Sequence, residues 1–412
     1  MRRDLSLFVL LVMLLAAVLS ACAPEPAPND TGLSAITAAP GSGPGADMST
    51  PVVTLPTPTA TPALPSCEPG LVDLLRSQVP PYVPYDPGAA FVSVDGDRLV
   101  VEGLPFTVRG VHYYPRDFPR ERFLRSMRLA DVQFELELMQ RAGLNLLRVD
   151  LRHDALFTCP GDGAVPRPDN LSSLDAFIQA AAAADFRLIL VLNVDADLAR
   201  YPLYDMPGHV RAQMTYLAKR YADEAAVMAY DLRDSGDRDY GAGPWPEAVV
   251  LGWLADAAVL VRQAAPRQLV TAGWSNAAFV TADVVDFVSF QHSGELEPLR
   301  QEIANLKAAT AKPILLASIG YDSATQDELG QRQSYYRAFE AVERNALVGW
   351  VVAAAFDHPL PLLCPPEEPG CLVDEAEARS GLWNTSYFPK RALDAVRLAA
   401  GLITVEDLDG SR

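Results

Sequence analysis

The chain has 412 residues, a formal net charge of −18 and an apolar half, enough for one large domain or two ordinary ones with a sizeable core. Such acidity excludes a nucleic-acid partner, because gripping phosphates takes clustered Lys and Arg. It also argues against electrostatic docking on anionic lipid.

The first element is a leader. Arg2 and Arg3 precede the apolar run LSLFVLLVMLLAAVLSA, which reads as a secretory signal rather than a core segment. The run ends in LSAC, which resembles the bacterial lipoprotein cleavage box with Cys22 as the lipidated residue. The alternative is an ordinary signal peptide or membrane anchor with an incidental cysteine. The lipoprotein reading makes residues 1–22 a signal, the location extracytoplasmic, and the membrane a partner through a lipid anchor. Several acyl chains on one cysteine anchor stably where a single chain does not. No second apolar span is long enough to cross a membrane.

Residues 23–66 contain ten Pro and only three charged residues. A segment such as LPTPTATPALP cannot bury enough apolar surface to fold. It reads as a disordered tether reaching on the order of 100 Å if polyproline-like. The globular part is expected over residues 67–402. After Cys22 four cysteines remain, Cys67, Cys159, Cys364 and Cys371. Outside the cytoplasm an even number suggests disulfides. Cys364 and Cys371 flank the turn-rich PPEEPG and are expected to pair, which leaves Cys67 with Cys159 by elimination. No CxxC spacing exists and the five histidines are scattered, so no metal is expected; nor is any cofactor.

From about residue 90, strand-like runs alternate with amphipathic helical stretches. FVSVDGDRLVVEG reads as a hairpin turning at Asp95, Gly96 and Asp97. FTVRGVHYYP is the first core strand. A helix near 131–142 follows, with Val132, Leu136 and Met139 on one face. NLLRVDLR is the second strand, and SLDAFIQAAAAA a helix striped by Leu174, Phe177, Ile178 and Ala181. FRLILVLNV, apolar throughout, suits a parallel strand buried on both faces. Then come a helix over 208–224, the fourth strand VMAYDLRDS, a helix in PEAVVLGWLADAAVLVRQA and the fifth strand RQLVTAGW. VDFVSFQH, ELEPLRQEIANLKAAT and KPILLASIG continue as strand, helix and strand. A helix over 326–345, the strand LVGWVVAAAFDHP and a last helix near Lys390 complete the pattern. Eight strand–helix units make an α/β fold of the (β/α)₈ TIM-barrel class. A doubly wound open sheet is the alternative, but no glycine-rich phosphate loop follows the first strand.

In such a barrel the chemistry sits where strands end. The eight ends, HYYPRD, DLRHD, NVDAD, RDSGD, GWSNA, QHSGE, SIGYD and FDHP, are rich in polar, aromatic and acidic residues, as a sugar site would be. Several motifs there resemble clan A glycoside hydrolases of the cellulase and mannanase type. RGVHYYP resembles the first-strand motif Arg-Gly-Val-Asn. AGLNLLRVDLR resembles Gly-x-Asn-x-x-Arg, with Arg148 as the site arginine. VMAYDLRDSGD resembles the fourth-strand pattern ending Asn-Glu-Pro-Asp. VDFVSFQHSG and KPILLASIGY resemble the sixth- and seventh-strand motifs. The resemblance covers about residues 90–400 in matching order.

It also fails at telling places. Retaining enzymes of that clan need two carboxyl groups about 5–5.5 Å apart, one acid/base and one nucleophile. At those positions stand Ser235 and Ser318. A serine hydroxyl is too weakly acidic to protonate a leaving oxygen, and unactivated it does not replace the carboxylate nucleophile. The Asn before the acid/base is Asp234, the sixth-strand His is Gln291 and its Tyr partner is Ser293. The eighth-strand Trp is lost within VVAAAFD, where Phe356 is the partial substitute. The resemblance therefore implies a degenerate member, without the standard retaining mechanism and binding carbohydrate in the cleft.

Asp234 is the weak candidate for relocated catalysis, as one of an inverting pair; a hydrogen-bonded loop carboxylate is its plainer role. No G-x-S-x-G elbow supports a serine hydrolase. Substrate-binding candidates are His112, Tyr113, Arg148, Asp150, Asp234, Trp274, Gln291, His292 and Phe356. For Tyr113 and Trp274 the plainer role is rim or core packing. Two other functions stay open: an active β-glycan hydrolase using relocated carboxylates, and a non-catalytic structural or partner-binding lipoprotein.

Overall fold

The computed structural model describes residues 64–194, 203–204, 207–363 and 375–410. The leader, Cys22, most of the Pro-rich segment, Cys364 and Cys371 lie outside the described residues. One nine-segment, all-parallel sheet forms the centre. Its strands are Val108–His112, Leu146–Asp150, Arg187–Val191, Val227–Asp231, Leu269–Thr271, Gly273–Trp274, Val288–Ser293, Ile314–Gly320 and Gly349–Val352. Both ends of the sheet belong to the fifth strand of the sequence pattern. Leu269–Thr271 pairs with the fourth strand, and Gly273–Trp274 pairs with the sixth. Ala272 separates the two pieces, so the ring closes through one interrupted strand. The interruption has a local cause: the Gly273 N–H donates to the Asp231 carboxylate at 3.1 Å, and its carbonyl accepts from Ser235 N.

Side chains alternate between two layers, as the two-residue strand period requires. Val108, Leu146, Ile189, Ala229, Phe287, Leu315, Ala317 and Val351 fill the barrel interior together with Leu99 and Val92. The last two come from the hairpin segment, whose strands Ser93–Asp95 and Arg98–Val101 pair antiparallel. The hairpin thus plugs the barrel floor. The opposite faces carry the larger core against the helices. Val132, Leu136 and Met139 are buried on Leu129–Arg141, and Leu174, Phe177, Ile178 and Ala181 on Pro168–Ala183. Burying each large apolar side chain there contributes roughly 1.5–3 kcal/mol. Trp350 belongs to this outer layer, stacked on Phe339 with ring centroids 3.9 Å apart.

Three departures from the sequence expectations stand out. The helix Ser323–Arg344 breaks at Asp327, whose φ of 56° is left-handed; the Asp327 carboxylate caps the second piece by accepting from Leu329 N and Gly330 N. A short helix, Val405–Gly410, follows the expected domain end. Residues 64–66, expected as linker, contact the barrel. Gly161 N donates to Pro65 O at 3.0 Å, and Cys67 N to Asp162 Oδ2 at 2.6 Å. A Cβ on Gly161 would lie 2.5 Å from Ser66 Oγ, so only glycine admits this approach. Cys67 and Cys159 form a disulfide. Residues 68–90 then run along the barrel wall as a strap. Tyr82 Oη and Tyr85 N both donate to Glu224 Oε2, and Arg187 Nη2 donates to Ala90 O.

Candidate functional site

Arg148 organises the mouth. It is the third residue of the second strand and faces inward, where it is only 1% exposed. Its Nη2 donates to Asp231 Oδ2 at 2.7 Å and to Asp234 Oδ1 at 2.5 Å. Burial opposes the guanidinium charge, but Asp234, Asp231 and Asp150 outweigh it and push its pKa above the ordinary value. Asp231 is fully buried at the end of the fourth strand. Burial pushes its carboxyl pKa up, against the pull of Arg148. Gly273 closes this cluster. A Cβ there would meet Gln291 Nε2 at 2.9 Å, Arg148 Nη2 at 3.0 Å and Asp231 Oδ2 at 3.1 Å.

Asp234 is 21% exposed at its side chain. Its Oδ1 accepts from both Arg148 and Gln291 Nε2, while its backbone N–H donates to Asn193 O. The carboxylate is therefore held in place by two neighbours. Beside it Asp150 accepts from Tyr114 Oη at 2.7 Å and faces His112 Nε2 at 3.1 Å. Burial alone would raise the Asp150 pKa; His112, Arg148 and Tyr114 instead hold it well below the usual carboxylate range. Three further strand-end carboxylates have structural partners. Asp237 accepts from the backbone of Ser275 and Asn276, Asp322 caps a helix by accepting from Thr325 N, and Asp357 pairs with Lys390.

The two serines that align with the motif carboxylates differ from each other. Ser235 is 2% exposed with a left-handed φ of 55°, a conformation that costs a non-glycine residue of order 1 kcal/mol or more. Ser318, partly exposed, stands in register with Gln291 and lines an open cleft of about 580 Å³. Gln291 and His292 from the sixth strand, Ser275 and Asn276 after the fifth, and Ala353 after the eighth share that lining.

Three candidates lie elsewhere. Tyr113, Trp274 and Phe356 are each at most 1% exposed and belong to the outer core. Tyr113 Oη donates to Glu135, and Trp274 Nε1 donates to Tyr240 Oη with its ring tight against Gly236. Phe356 packs against Trp383 and Tyr387. Each faces outward, so a stacking role on a sugar is corrected here to core packing. The sequence reading missed Asn193, Ser275, Asn276 and Ala353, although the strand ends NVDAD and GWSNA and the stretch VVAAAFD contain them. It also missed Arg233, fully buried and paired with Asp239 at 2.8 Å. Among the described residues one cluster has metal-ligand proximity, Cys67, Cys159 and Asp162, and both of its sulfurs are spent in the disulfide.

No protein-family model and no curated protein matches the chain. Solved structures do match. A variant of a GH5_18 enzyme from Streptomyces cattleya, in complex with Manb1-4GlcNAc, superposes with a TM-score of 0.59 at 17% identity, over 73% of this chain and 82% of that one. An endo-1,4-beta-mannanase from Rhizomucor miehei gives 0.53 at 16% identity, over 74% and 99%. The fold is a (β/α)₈ barrel like that of these two enzymes. A beta-glucuronidase from Faecalibacterium prausnitzii shares the same glycoside-hydrolase barrel, with a TM-score of 0.56 at 16% identity over 76% of this chain. The chain spans about half of that enzyme's length, 52%. At these identities the likeness establishes the architecture; what the cleft does rests on its own residues.

Proposed function

We propose that this is a surface-tethered lipoprotein whose glycosidase-like barrel binds carbohydrate in its mouth and does not cleave it by the retaining route. The observation that carries the reading is the pair Ser235 and Ser318 at the motif carboxylate positions, in a mouth that keeps an open cleft of about 580 Å³. The retaining route needs two carboxyl groups, one on each side of the scissile bond. The cleft lining is rich in amide and hydroxyl groups, such as those of Asn276, Gln291 and Ser318, which suits hydrogen bonding to sugar hydroxyls. The LSAC box and the Pro-rich segment support the tether, with Cys22 carrying the lipid and the barrel held outside the cytoplasm.

The test uses residues 62–412, the compact unit. Thermal shifts are measured across a polysaccharide panel, and β-linked aryl glycosides are assayed for hydrolysis. Binding without turnover is expected. Absence of binding to every glycan would remove this reading and favour a structural or partner-binding role. A second reading, hydrolysis through relocated carboxylates, draws on Asp234, which is part-exposed and fixed in orientation. Turnover abolished by Asp234→Asn would favour it; turnover that survives that change would remove Asp234 from it.

A further inference from the structure

His112, Asp150 and Tyr114 form a connected polar chain on the first two strands. Tyr114 Oη donates to Asp150 Oδ2 at 2.7 Å. Asp150 Oδ1 stands 3.1 Å from His112 Nε2. Both atoms are buried, and among the described residues neither has a hydrogen-bond partner. Buried polar atoms are nearly always satisfied, so each is the only group available to the other. An ionised carboxylate accepts and cannot donate. Nε2 must then carry a proton, and in the neutral ring that leaves Nδ1 as the lone-pair nitrogen. The ring is 19% exposed at its side chain, and with Nε2 buried that exposure lies elsewhere on the ring.

The position of the ring gives this tautomer a use. His112 ends the first strand, next to Val352 of the eighth in the pairing Val352↔Val111. The residue after Val352 is Ala353, which lines the cleft. His112 is thus one position along the ring of strand ends from the open cleft, on the side where the lining is smallest. The charged groups around the chain are Arg148 beside Asp150, and Arg120 and Arg152 near Tyr114. His112 and Tyr114 also pack together, with ring centroids 5.4 Å apart.

We infer that Tyr114 and Asp150 are positioning residues that hold His112 with Nδ1 bare toward the barrel mouth, as a fixed acceptor for a hydroxyl of a neutral, hydroxyl-rich ligand. This deepens the carbohydrate reading and rests on it for the ligand, while the tautomer is testable without any ligand.

The experiment uses the full chain in detergent, labelled with ¹⁵N-histidine. Long-range proton–nitrogen spectra near neutral pH are expected to show His112 protonated on Nε2 and bare on Nδ1. Asp150→Asn should erase that preference, and Tyr114→Phe, which removes only the hydroxyl, should weaken it. A wild-type His112 carrying its proton on Nδ1 would overturn the inference. Binding is then titrated with β-1,4-linked mannan and glucan tetrasaccharides. His112→Ala should weaken affinity about tenfold and Tyr114→Phe about threefold, the scale of one or part of one hydrogen bond. His112→Asn keeps an acceptor of similar reach and should retain affinity. Unchanged affinity in His112→Ala would overturn the inference even if the tautomer is as stated. If no glycan, these two or any of the wider panel, binds the wild type, the carbohydrate reading fails, and the polar chain is judged by the nitrogen spectra alone.

Discussion

The two halves of the barrel mouth are built on opposite plans. On the first, second and fourth strands the ends carry His112, Arg148, Asp150, Asp231 and Asp234, joined by short polar contacts. On the seventh and eighth the corresponding places hold Ser318, Gly320 and Ala353, small residues around open space. One half is a fixed network of charges and the other is an opening. A buried charge network tolerates no missing member, because each removal strands another ion. A rim of small side chains has no such debt.

Substitution should expose that contrast most strongly at Arg148. Arg148→Met would leave Asp231 buried with no countercharge, at a cost of about 3–5 kcal/mol, read from urea unfolding midpoints. Glu135 tests how the halves are joined. It lies on the helix behind the first strand and accepts from Tyr113 Oη, Arg116 N and Tyr387 Oη. It therefore ties the loop after the first strand to the chain beyond the eighth. Burial, opposed by those donors, raises its pKa from 4.5 to about 7. A raised carboxyl pKa means the folded state holds the proton longer than the unfolded chain. The associated stability is present at low pH and is lost as pH rises from about 4.5 through about 7. Thermal unfolding of the wild type should lose roughly 3 kcal/mol across that window relative to Glu135→Gln.

Gly273→Ala is the next step down. Its Cβ would press on Arg148, Asp231 and Gln291 together, and overpacking of this kind costs about 1–3 kcal/mol. The smallest effect belongs to the open half. Ser318→Glu should move the unfolding free energy by no more than about 0.5 kcal/mol. A large loss there would mean that the cleft side is as constrained as the charged side, and the comparison would collapse.

Much of the fold was legible because periodicity reports burial. The stripes on Leu129–Arg141 and Pro168–Ala183 and the apolar third strand fell where the alternation put them. What stayed hidden depended on direction and on contacts far apart in sequence. Tyr113 and Trp274 end strands, as site residues do, but the strand period turns both outward. The interrupted fifth strand could not be read from RQLVTAGW, because its cause, Asp231, lies on the neighbouring strand. Arg148 was visible through its motif, whereas its grip on Asp234 required both strands to be in place. The contacts of residues 64–66 were hidden by composition: Leu64, Pro65 and Ser66 look like linker, and Gly161, which meets them, lies nearly a hundred residues on.

That last attachment decides where mechanical load enters the molecule. Residues 64–67 are fastened to the loop after the second strand by the Cys67–Cys159 disulfide and two hydrogen bonds. Tension arriving along the upstream chain therefore meets a covalent stop at the barrel rim. The strap over residues 68–90 and the hairpin plugging the floor lie downstream of that stop and bear none of the pull. With the two cysteines reduced, the same force would peel the strap from Glu224 upward and reach the floor of the barrel.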